Sequence, residues 1–85
     1  MRVLGRDTAQ DAYRVRFESD GKAIVGLVPE ALVAEEIRAA GNPSHEDAYS
    51  WIGRNSAAIE KALTQMSRGA PVRRPFDRLR LVEDE

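Results

Sequence analysis

The chain has 85 residues, 42% of them hydrophobic and 32% charged, with thirteen basic against fourteen acidic residues for a net charge of -1. That length supports one domain, residues 1–85, around one modest core, and the near-zero charge excludes a global field for holding a polyanion. With no cysteine, disulfides and thiolate zinc sites are excluded, so close packing or self-association is the expected support for so small a fold.

Residues 1–11 carry no period and read as a loose N-terminal arm, with room for a short strand around Val3. They contain no apolar stretch of signal-peptide length, and nowhere do enough apolar residues run together to span a membrane, so the expected location is the cytoplasm. From Tyr13 the pattern alternates: Tyr13, Val15 and Phe17 are apolar, while Arg14, Arg16 and Glu18 are charged. Asp20-Gly21 supplies a tight hairpin turn, after which Ala23 to Val28 forms a second strand. With those two residues as the loop, Phe17 faces Ile24, Tyr13 faces Val28, Arg14 faces Leu27 and Arg16 faces Val25. One face of the hairpin is then apolar and the other mixed.

Pro29 suits a helix start, and Leu32, Val33, Ile37 and Ala40 recur at helical spacing up to Gly41. Ser44 caps a second helix with Asp47 three residues on. Its stripe of Ala48, Ile52, Asn55, Ile59, Ala62 or Leu63, and Met66 predicts one continuous helix to Gly69, with Gly53 marking a kink or a close backbone approach. Alternation returns from Phe76 to Val82, where Leu79 and Leu81 are set against Arg78 and Arg80, and predicts a third strand. Glu83, Asp84 and Glu85 form an acidic tail. The expected fold is α+β, in the order β-β-α-α-β, with both helices on one face of a small antiparallel sheet.

The stretches Val15-Arg16-Phe17, Asp20-Gly21, Pro29-Glu30-Ala31-Leu32, Ile59, Ser67-Arg68-Gly69 and Leu79 to Asp84 resemble a small bacterial family known as a domain of unknown function, numbered 1488. The resemblance spans most of the chain and implies a compact β-β-α-α-β domain. It implies no activity and transfers no functional residue.

No catalytic constellation is visible. His45 is the single histidine, and Glu46 and Asp47 beside it are explained by the helix start. The serines stand in no nucleophile motif, and there is no glycine-rich phosphate loop. The chain is therefore expected to be no enzyme, with no metal and no cofactor. The candidate interaction surface is Arg14, Arg16, Val25, Leu27, Arg78 and Arg80 on the uncovered sheet face, together with Trp51, which lies beside the helix stripe near Tyr49. Arg73 and Arg74 could extend the basic set. The leading reading is a protein-interaction or regulatory module with a protein partner or as a homodimer. The alternative is nucleic-acid binding through the arginines, which the neutral net charge and the lack of a stacking platform disfavour. Phe17→Ala is expected to cost about 3–5 kcal/mol in a denaturant melt if the ring is buried. Leu27→Asp, if Leu27 is an exposed outer-face residue, is expected to weaken self-association and spare the fold.

Overall fold

A computed structural model describes residues 1–38 and 44–82. The elements in chain order are β1 (Arg2–Asp7), β2 (Ala12–Ser19), β3 (Lys22–Pro29), α1 (Glu30–Glu36), α2 (His45–Arg54), α3 (Ser56–Ser67), a single 3-10 turn (Phe76–Arg78) and β4 (Arg80–Val82). The strands form one antiparallel sheet in the order β1-β2-β3-β4. The α+β class is as expected, and the order is β-β-β-α-α-α-β.

The hairpin is where the sequence reading holds in detail. Asp20 and Gly21 both have positive φ, 53° and 78°, the pair of angles that a type I′ turn requires and that glycine and aspartate tolerate. Ser19 pairs with Lys22, and the four expected cross-strand pairs, Phe17 with Ile24, Arg16 with Val25, Arg14 with Leu27 and Tyr13 with Val28, are those observed. Alternation thus sends Tyr13, Val15, Phe17 and Val28 into the core, where they meet Leu32, Val33, Trp51, Ile52, Ile59 and Leu63. All three helices contribute to this one cluster, so the helices cover one side of the sheet.

Four expectations change. The N-terminal arm is a strand: β1 pairs with β2 from Arg2 opposite Arg16 to Asp7 opposite Ala12, with a register shift between Val3 and Gly5. Gly5, at φ 122°, takes a conformation closed to other residues and makes that irregularity. The long helix is two helices. Asn55 leaves helical geometry (φ -108°, ψ 16°), and its side-chain amide donates to the Trp51 carbonyl at 2.8 Å, a local bond of the kind by which asparagine competes with helix continuation. The third strand is short. Phe76–Arg78 coil into a 3-10 turn that stacks Phe76 on Trp51, ring centroids 6.2 Å apart, and leave only Arg80–Val82 to pair with β3. The first helix ends with Ile37 as its C-cap. Ala40, Gly41, Asn42 and Pro43 lie outside the described residues, as does the acidic tail.

The remaining helix signals hold. Ser44 accepts from the Asp47 amide at 3.0 Å. Past α3, Gly69 (φ 74°) donates to the Met66 carbonyl and Ala70 to that of Gln65, closing the helix as a glycine C-cap does. Gly53 is not a close approach, since a methyl group there would meet nothing within 4 Å, and the helix break falls two residues on, at Asn55.

The close approach is at Gly26, in the centre of the sheet. A Cβ there would lie 2.6 and 2.7 Å from the Leu63 methyls and 3.2 Å from the Arg80 carbonyl oxygen. Leu63 is fully buried, so it has little room to give way. Gly26→Ala is expected to cost about 1–3 kcal/mol by overpacking, and Leu63→Ala should lessen that cost in a double-mutant cycle. Gly53→Ala, on an exposed helical site, should instead raise stability by about 0.5–1 kcal/mol. Urea melts of the four variants check both signs.

Candidate functional site

The pairing places two rows of side chains across the sheet on the side away from the helices. One row is Arg2, Arg16, Val25 and Val82, and the next is Gly5, Arg14, Leu27 and Arg80. None of these residues belongs to the helix-side core. The structure therefore brings together five of the expected surface residues, Arg14, Arg16, Val25, Leu27 and Arg80. It adds Arg2, which the arm reading hid, and Val82, which shares the parity of Arg80 and could have been found from it.

Two expected members lie elsewhere. Arg78 is on the 3-10 turn, where it donates to the Glu35 carboxylate at 2.6 Å, so it is tied to α1 and absent from the strand. Trp51 is only 6% exposed and lies in the core against Phe76. The turn that shortens the third strand is what covers it. Tyr49 stays exposed, its ring 5.5 Å from that of Tyr13.

Leu27 combines two properties that were expected to exclude each other. Its register places it on the outer face, opposite Arg14 and Arg80, yet it is only 6% exposed. Its cross-strand neighbours there are Arg14 and Arg80, and arginine commonly lays its methylenes over apolar neighbours and keeps its head in water. Val25 and Val82, in the adjoining row, are half-buried and form the accessible apolar part of the face.

The charges are partly neutralised within the face. Arg14 donates to Asp7 at 3.0 Å, and Arg16 lies 4.0 Å from Glu18. The Arg14 bond, aided by amides of Gln10 and Ala9 and opposed by burial, holds the Asp7 carboxyl below the usual carboxylate range. Among the described residues Arg2 and Arg80 make no ion pair. Beside Arg14, the β1 irregularity leaves Leu4 exposed and Gly5 without a side chain, and a hollow of about 310 Å³ opens between Leu4, Asp7, Thr8 and Arg14.

The rest of the molecule offers less chemistry. Arg6 donates to Glu30 at 3.1 Å, which holds the guanidinium firmly charged. The Tyr13 hydroxyl and the Arg6 Nε, both buried, have no hydrogen-bond partner among the described residues. Burial first, then Glu30, pushes the phenol pKa up. His45 packs near Tyr13 and Tyr49, with centroids about 6 Å away, as the first residue of α2. No metal-holding group of histidine or acidic side chains occurs among the described residues. A larger groove of about 680 Å³ between α3 and the following loop, floored by Ala62, Val72 and Phe76, gathers no acid, base or nucleophile into a reactive set. No helix among the described residues is long and apolar enough to cross a membrane.

No family model, no curated protein and no solved structure matches the chain.

Substitution separates the two apolar positions of the face. Leu27→Asp is now expected to cost several kcal/mol, about 3 or more, because it places a carboxylate where a side chain is buried. Val25→Asp, half-buried beside Arg16, is expected to change stability by less than about 1 kcal/mol. Thermal melts distinguish them, and equal losses would show that Val25 is as enclosed as Leu27.

Proposed function

We propose that the chain is a small cytoplasmic protein-interaction module, without catalytic activity of its own, that works through the outer face of its sheet. One observation carries the reading: Val25 and Val82 form an apolar pair on the β3–β4 side of the outer face, with Arg16 and Arg2 continuing their row and Arg14 and Arg80 in the next row, all outside the helix-side core. Accessible apolar side chains set beside arginines are a composition that protein interfaces share. The likeness to the bacterial domain numbered 1488 belongs to the same proposal and contributes fold without chemistry. Nucleic-acid binding uses the same arginines, but a phosphate backbone leaves the valines unburied, and this face has no aromatic side chain on which a base could stack.

The test compares the wild type with Val25→Asp and with Lys61→Glu, a control on exposed α3, in recovery of partners from cell lysate and in sedimentation. The expected result is a partner, or self-association, that survives Lys61→Glu and is lost with Val25→Asp while the melting temperature is kept. Contacts indifferent to Val25→Asp would overturn the reading.

A further inference from the structure

We infer that the outer face receives an acidic protein segment with apolar side chains among its carboxylates, and that its occupant is not a second copy of this chain. The inference rests on the reading of this face as an interface and names its partner. Among the described residues the face carries the guanidiniums of Arg2, Arg14, Arg16 and Arg80 against the carboxylates of Asp7 and Glu18. Two copies laid face to face would set one arginine excess against another, and desolvating like charges opposes contact. An acidic segment meets the opposite condition. Planar guanidiniums donate paired hydrogen bonds to carboxylates, and Arg14 already donates a single such bond to Asp7 at 3.0 Å. The partner's apolar side chains then have a place to go, over Val25 and Val82.

A nucleic acid would satisfy the guanidiniums alone. It would bring phosphates toward Asp7 and Glu18 and place nothing apolar on the valines. The carboxylate ligand therefore fits both halves of the surface, the charged and the apolar.

The experiment titrates the isotope-labelled full chain with a synthetic peptide, Glu-Leu-Glu-Glu-Val-Leu-Glu-Glu, and with its analogue in which every Glu is Gln. A short duplex DNA is titrated in parallel, and sedimentation follows self-association. The acidic peptide is expected to shift the amide signals of Arg2, Arg14, Arg16, Val25 and Val82. The Gln analogue should bind about tenfold more weakly or worse, the loss expected when charge-assisted bonds become neutral. Arg16→Gln, away from the Asp7 contact, should weaken the acidic peptide by a similar factor with the melt unchanged, and Arg14→Gln provides a second reading.

Equal binding of the two peptides, tighter binding of the DNA, or dimerisation through these same residues would each overturn the choice of partner while leaving the face an interaction surface. Signals that move only on the helices, or no shift at millimolar peptide together with no self-association, would overturn both the partner and the reading beneath it.

Discussion

The β2–β3 hairpin is the constraint on which the rest of the domain depends. Its Asp20-Gly21 turn admits one register, and a slip of a single residue would exchange the two faces of both strands. Tyr13, Val15, Phe17 and Val28 would then point away from the helices, and Arg14 and Arg16 would enter the core. Around this fixed pair the other elements are fitted. Leu63 from α3 fills the space left by Gly26, and the Arg80 carbonyl lies against the same glycine from the neighbouring strand. A glycine on the central strand β3 is thus where helix, hairpin and closing strand meet.

One-sided burial leaves the opposite face to be managed by its own side chains. With all three helices gathered on one side, no element among the described residues covers the outer face. It is nevertheless not uniformly exposed, because Leu27 sits between two arginines and is buried there. Arg14 consequently has three neighbours of different kinds: a carboxylate at Asp7, an apolar side chain at Leu27, and the hollow by Leu4. A charge change at Arg14 alters packing as well as electrostatics, whereas Arg16, beside Val25 and a distant Glu18, is nearer to a pure charge.

What could be read from the chain follows from how local each signal is. The hairpin, the Ser44 cap and the Gly69 stop are written in two to four adjacent residues, and all are present as expected. β1 was obscured because Gly5 interrupts its alternation at the point where the pairing shifts. The break between α2 and α3 was obscured because Asn55 keeps the helical spacing of the apolar stripe while its amide takes a backbone carbonyl. Trp51 and Arg78 were misplaced for a shared reason. Both depend on the 3-10 turn at Phe76–Arg78, a non-local packing event that an alternating pattern cannot distinguish from a strand. Of the candidate surface, the residues on the hairpin and on β4 were legible, and those that depended on the turn were not.

The division between faces also decides how fold and function can vary separately. On the helix side nearly every apolar residue is buried in one cluster of a small domain, so a change there draws on a thin margin of stability. On the outer side, Val25, Val82, Arg16 and Arg2 contribute little to that cluster. Substitution there draws little on the helix-side core. Asp7 is the point where the two sides join. It receives the Arg14 guanidinium on the outer face, and it also accepts from the Ala9 amide while its carbonyl takes that of Gln10, closing the turn between β1 and β2. On the reading proposed for this face, a carboxylate arriving from a partner would compete with Asp7 for Arg14. The competition would be felt first in the turn that holds the edge strand, because the pairing of β1 to β2 and the charge of the outer face share that one side chain.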